Sequence, residues 1–368
     1  MHRKSVLRLV AGAAVALLAL TGCGRETTQA PAAPAPGGST AAFPADSLIG
    51  VSLPQKTSEN WVLAEQLFKD GLTKAGFKGD VQFANGGVTE QQNQISAMVT
   101  KGVKVLIVGA IDGSQLGTQL AQAKAAGITV IAYDRLLKNT DAVDYYLAYD
   151  NFKVGQLQGQ ALLDGLKSRG EKKPYNIELI AGSPDDANAK VFFEGAMSVL
   201  KPKIADGSLA VPSGQTEFNQ IVTQGWKAEN AQRRVDTLLT ANYTQAVLDG
   251  VLSPNDTLAR AALTSVESAG KPLPIVTGQD SEVESVKLIM SGKQYSTINK
   301  DTRAIVEHAL VMVKDIQAGK KPEINDPSSY NNDVKVVPAY LLPPLVVTKA
   351  NAVEAYANDP NLAPLTKN

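Results

Sequence analysis

Polar side chains of one chemical kind gather just past the short apolar runs of this 368-residue chain. Asn60 and Trp61 follow the first run, and Asp134 and Arg135 a later one. Asp186, Asn188, Asn255, Asp280 and Lys300 follow others, and Trp226 is the second of two tryptophans. Carboxylates accept hydrogen bonds, Arg and Lys donate them, amides do both, and bonds to charged partners are the stronger kind. An aromatic face packs against an apolar C–H face. A ligand dense in hydroxyls yet built on an apolar ring needs that combination, because a buried hydroxyl without a partner is costly. Sugars are such ligands. Each residue also has a plainer reading: Asp and Asn after a strand are common helix N-caps, and Asp134-Arg135 suits a surface ion pair. Trp61 lies on an apolar stripe, and Trp226 suits a hydrophobic staple. The site reading gains from recurrence of the same chemistry at many strand ends.

Catalysis finds less support. Asp185 and Asp186 are adjacent, and adjacent carboxylates rarely aim at one substrate as the paired acids of glycosidases do. The chain has two histidines, His2 and His308, which leaves little for a Ser-His-Asp triad or a multi-histidine metal site. No phosphate-cradling glycine loop or dinucleotide fingerprint follows the first strand. The expectation is a binding protein, with no enzyme activity, metal or cofactor.

The elements that carry these residues alternate. The strand Ile49 to Leu53 precedes a helix with Trp61, Ala64, Phe68 and Leu72 at spacings of three and four, ending at Gly76. Strands Val103 to Val108 and Ile128 to Ala132 follow, each entered through a glycine. A second set runs Ile177 to Ile180, Val247 to Leu252, Leu273 to Thr277 and Tyr295 to Ile298. A further helix is expected over Trp226 to Leu239. Such alternation predicts an α/β fold of parallel, doubly wound sheets with ligands beyond the carboxyl ends of the strands. The length suits two domains.

The beginning of the chain differs. Arg3, Lys4 and Arg8 precede an apolar run from Leu9 to Leu20, too short to span a bilayer and suited to an export signal over residues 1–22. Leu20-Thr21-Gly22-Cys23 resembles the lipobox of bacterial lipoproteins, which implies cleavage before Cys23 and its acylation. Cys23 is the sole cysteine, so no internal disulfide forms. Residues 23–45, rich in Ala, Pro, Gly and Thr, read as a mobile tether. Lys+Arg and Asp+Glu are equal at 36 each. Loss of three basic residues with the signal leaves 33 − 36 = −3, which argues against a nucleic-acid partner.

From about Leu48 to Val347 the chain resembles the monosaccharide-binding proteins of bacterial ABC importers, in their xylose-binding and multiple-sugar-binding branch. The resemblance rests on Ala132-Tyr133-Asp134-Arg135, Tyr149-Asp150-Asn151-Phe152-Lys153-Val154-Gly155, Gly182-Ser183-Pro184-Asp185-Asp186, Gly278-Gln279-Asp280 and Val334-Lys335-Val336-Val337-Pro338. It also rests on the run Gly195 to Pro202.

That family implies a type I periplasmic binding protein fold: two Rossmann-like lobes joined by a three-stranded hinge. Residues 46–149 plus about 299–328 would form the N-terminal lobe, and 150–298 plus about 329–368 the other. Asp134 and Arg135 would hold hydroxyls from the first lobe, and Asp186, Asn188, Asn255 and Asp280 from the second. Lys300 would sit near a crossing, with Trp61 and Trp226 sandwiching a ring. At Asn60 the sequence departs from relatives, which carry Arg before that Trp; Asn loses a charged five-donor fork. Ala187 likewise stands where relatives have Asn.

The resemblance implies a monomer that captures xylose, glucose or a galactose-like pyranose and hands it to permease subunits. The lipid would hold it at the outer face of the cell membrane. A sugar or furanosyl-signal sensor docking on a chemoreceptor or kinase is the alternative. Sugar-responsive repressors reuse this fold but begin with a DNA-binding segment, and here the export signal stands in its place.

Overall fold

The computed structural model describes residues 42–56 and 58–367; the export segment, Cys23 and most of the tether lie outside them. β1 (Leu48–Leu53), α1 (Glu59–Lys74), β2 (Lys78–Phe83), α2 (Val88–Thr100), β3 (Val105–Val108), α3 (Gly117–Ala125), β4 (Thr129–Tyr133) and β5 (Tyr145–Tyr149) succeed one another. They form a parallel sheet ordered β2-β1-β3-β4-β5, with Val51 beside Val81 on one side and Ile107 on the other. Alternation along the strands divides the core in two. Ile49, Val51, Val105 and Ile107 pack with Trp61, Phe68 and Leu72 of α1 on one face. Leu106, Val108 and Val130 pack with Ile95, Met98 and Leu120 on the other. Both faces of its central strands are covered, so β3 and β4 are nearly apolar throughout, whereas the edge strand β2 is mixed.

The second half holds α4 (Asn151–Ser168), β6 (Tyr175–Leu179), α5 (Ala187–Ala205), β7 (Leu209–Ala210), α6 (Phe218–Ile221), α7 (Ala228–Asn242), β8 (Gly250–Leu252), α8 (Asp256–Ser268), β9 (Ile275–Val276), α9 (Val283–Met290) and β10 (Ser296–Asn299). Its parallel sheet runs β7-β6-β8-β9. Helices α4 and α5 touch backbone to backbone. A Cβ on Gly155 would stand 2.0 Å from the Phe192 carbonyl oxygen, and one on Gly195 would stand 2.2 Å from that of Phe152.

The chain then returns. Helix α10 (Thr302–Gln317) buries Ile305, Val306, Ala309 and Met312 in the core shared with α1. Strand β11 (Ala339–Leu342) pairs in parallel with β5, as the edge of the first sheet. Past Pro343-Pro344, β12 (Leu345–Thr348) pairs antiparallel with β10, and α11 (Ala352–Ala355) follows. The chain thus passes between the halves at Asp150, between β10 and α10, and between β11 and β12. The expected boundary near 329 is corrected: through Leu342 the chain stays with the first sheet, because Val337 and Ala339 are buried in its core. The strand expected from Val247 is confined to Gly250–Leu252, with Val247 itself exposed. The strand expected over Leu273 to Thr277 shrinks to Ile275–Val276. Among the described residues no helix is long and apolar enough to cross a membrane.

Candidate functional site

The carboxyl ends of both sheets face one cavity. All ten residues singled out above line it: Asn60, Trp61, Asp134, Arg135, Asp186, Asn188, Trp226, Asn255, Asp280 and Lys300. It holds about 420 Å³ of empty space counted out to its mouth. Ser58, Phe192 and Gln279 line it too, and sequence reasoning did not single them out. Phe192 lies one helical turn past Asn188, so helix periodicity would have found it. Gln279 stands inside Gly278-Gln279-Asp280 at a strand end. Ser58 occupies the N-cap position of α1, so the cap signal at a strand end would have found it.

Asp134 follows β4 directly, with φ at 61°. Its backbone is fixed by a bond from its N–H to the Leu147 carbonyl at 2.8 Å. Arg135 is 7% exposed, and its Nη1 donates to the Ala110 carbonyl at 2.9 Å. Its Nε stands 2.9 Å from Asp186 Oδ2, and its guanidinium lies 5.4 Å from the Trp61 ring centre. The Arg135–Asp186 pair joins the first half to the second and is buried, so Arg135 does not form the surface ion pair with Asp134 that the plainer reading expected.

Asp186 and Asn255 are N-caps, as the plainer reading had it. Asp186 Oδ1 accepts from the Asn188 N–H at 2.9 Å, and Asn255 Oδ1 from the Leu258 N–H at 2.9 Å. Both also face the cavity, so capping and lining are compatible. A cap residue sits where a helix N-terminus meets a strand end, which is where this architecture puts its ligands. Asn188 Nδ2 donates to the Asp134 carbonyl at 2.9 Å, while its Oδ1 accepts from Tyr146 Oη at 3.3 Å.

Lys300 is 8% exposed and stands 3.3 Å from Asp280 Oδ1 and 3.6 Å from Asp134 Oδ2. Burial disfavours its charge, but the two carboxylates outweigh that and lift its pKa above the ordinary lysine value. Burial raises the Asp280 carboxyl, against the pull of Lys300 and with a push from Asp134. Asp186 is raised for the same first reason, although Arg135 opposes it.

The tryptophans are held differently. Trp61 lies in the first turn of α1 and meets Tyr133 edge to face at 6.1 Å. Trp226 does not open the helix expected for it. It ends a 3-10 turn over Gln224–Trp226 with φ at 54°, and α7 begins at Ala228. Its Nε1 donates to Asp186 Oδ2 at 3.1 Å. A strand-end glycine lies under each ring. A Cβ on Gly109 would stand 3.2 Å from Trp61, and one on Gly182 only 2.2 Å from Trp226. At Asn60 the Ser58 hydroxyl donates to Oδ1, which leaves the amide NH2 for another partner. Among the described residues no group of three or more His, Cys, Asp or Glu is placed to hold a metal ion.

A family profile for the periplasmic binding protein domain matches residues 49–321. The multiple sugar-binding periplasmic receptor ChvE of Rhizobium radiobacter is 48% identical over 316 residues, which is 84% of this chain and 89% of that protein. The D-xylose-binding periplasmic protein of Escherichia coli K12 is 33% identical over 312 residues, covering 84% and 89%. Among solved structures, an ABC transporter solute-binding protein from Clostridium phytofermentans with bound β-D-glucose superimposes with a TM-score of 0.83 at 39% identity. That superposition covers 87% of this chain and all of the other.

Proposed function

The chain belongs to the periplasmic binding protein family, as a sugar-binding member with the type I fold, and from there we propose that it captures one pyranose between its two halves for an ABC importer. Glucose and xylose are the first candidates, since relatives that bind them resemble this chain. The observation that carries the reading is one cavity where two buried cations, three carboxylates and two tryptophans meet. Asp134, Asp186 and Asp280 accept from ring hydroxyls, Arg135 and Lys300 donate, and Asn60, Asn188 and Asn255 do either. The indoles cover the two faces of the ring.

The mechanism follows from who touches whom. Arg135 with Asp186, and Asn188 with Asp134, link the halves across the cavity. A sugar that bonds both sides strengthens the same closed arrangement, which is all that ligand-driven closure requires. Acylation at Cys23 keeps the loaded protein near its permease.

The test is a thermal-shift screen against xylose, glucose, galactose, arabinose, ribose and fucose. Binding to the native state raises the melting temperature by mass action. One or a few pyranoses should shift it clearly in the wild type and hardly at all in Asp280→Ala. A well-folded sample that responds to none of them sinks the proposal.

A further inference from the structure

Beside the sugar cavity lies a second hollow, of about 1290 Å³ counted out to solvent, against about 420 Å³ for the first. Ser58, Asn60, Asp280 and Lys300 line both, so these side chains are the partition they share. Three of the four are short, and the Ser58 hydroxyl is spent on Asn60. Asn60 is one of the short side chains that stand between the two spaces.

The outer hollow is built from both halves. Val62 and Leu63 come from α1, and Thr257 and Arg260 from α8. Across its rim the Glu59 carboxylate accepts from the Val283 N–H at 2.8 Å, so the closed arrangement itself completes the wall. Its cations are matched: Arg260 stands 2.5 Å from Glu282, and Arg303 pairs with Asp359. Matched charges leave nothing that calls for an ionic ligand, while the exposed edges of these groups offer donors and acceptors beside aliphatic surface. Lined this way, the hollow suits a neutral hydroxylated group.

We propose that the outer hollow is a second subsite, which takes the linked sugar of a disaccharide while the terminal ring occupies the inner cavity. This rests on the sugar reading above. Val62 lines the outer hollow and not the inner cavity, and it is 45% exposed, so a larger residue there fills the subsite without entering the core.

The experiment is isothermal titration calorimetry of the full chain with D-glucose, D-xylose and D-galactose, then with cellobiose, maltose, xylobiose and lactose. At least one disaccharide should bind within about tenfold of the monosaccharide that forms its non-reducing end. Val62→Trp should weaken that disaccharide by about tenfold or more and change the monosaccharide by less than about twofold. Val62→Gln, a milder filling, should do the same in smaller measure, and serves if the tryptophan variant fails to fold. Disaccharides that all bind more than about a hundredfold weaker than their parents overturn the subsite. So does a Val62 variant that treats both ligand classes alike. If none of the three monosaccharides binds the wild type, the sugar reading itself falls.

Discussion

The two tryptophans line the same cavity and are made in opposite ways. Trp61 belongs to a helix whose buried stripe, Trp61, Ala64, Phe68 and Leu72, would exist with no ligand in view. Trp226 sits at positive φ on a short 3-10 turn, tied to the cap of another helix through Asp186 and laid over a glycine. One wall is a by-product of the core, whereas the other exists through contacts between distant segments. The first should therefore be robust, and the second easily lost.

Four experiments sharpen or break that contrast. The largest effect is expected at the glycines. Gly182→Ala drives a methyl to 2.2 Å from the Trp226 ring, and titration of the preferred sugar should show affinity down by about a hundredfold or more. Gly109→Ala meets Trp61 at 3.2 Å, and should cost less than about tenfold. Equal losses would break the contrast.

Next, Trp226→Phe removes the donor to Asp186 Oδ2, and calorimetry should register about 1–3 kcal/mol. Trp61→Phe, which loses no comparable bond, should cost binding less than about 1 kcal/mol and appear mainly as a lower melting temperature. Asn255→Ala gives up the α8 cap, and thermal melting should show about 1 kcal/mol of lost stability alongside weaker binding. Asp134→Asn caps nothing and tolerates positive φ, but it removes one of the two carboxylates beside buried Lys300, so it should weaken binding and also lower the melting temperature.

The smallest effect is in pH. Buried Asp186 and Asp280 carry pKa values raised above 3.8. A raised acid is protonated sooner as pH falls, and a protonated carboxyl accepts hydroxyls poorly. Affinity should therefore decline on acidification while the pH is still above 3.8, and stay flat on the neutral side. A decline that begins only below 3.8 would mean these carboxyls are not held as described.

What the sequence disclosed follows the same division. Strand-end position and the family resemblance together pointed to all ten residues that line the cavity, and of these Asp186 and Asn255 were also legible as caps. The α1 stripe was legible from its period. The setting of Trp226 was not, because nothing local distinguishes a helix start from a turn held by Asp186. Strand β2 escaped notice because its residues are half-exposed and mixed, Lys78 to Phe83, at the sheet edge. The placement of β11 beside β5 was misjudged because pairing across nearly two hundred residues leaves no trace in either segment. The glycines under the indoles look like any other glycines until the rings are in place.

The contact between α4 and α5 carries a mechanical consequence. Gly155 and Gly195 set main chain directly against main chain, so at that crossing no side chain is free to re-pack. That crossing is a stiff point in the second half. Whatever bending accompanies capture and release of ligand falls on three thin straps: Asp150, the Lys300-Asp301 step, and the Pro343-Pro344 pair. The middle strap begins at Lys300, the side chain that already reaches to Asp134 and Asp280. Lys300 is thus seated on the crossing itself, so its contacts to Asp134 and Asp280 act where the chain passes between the halves.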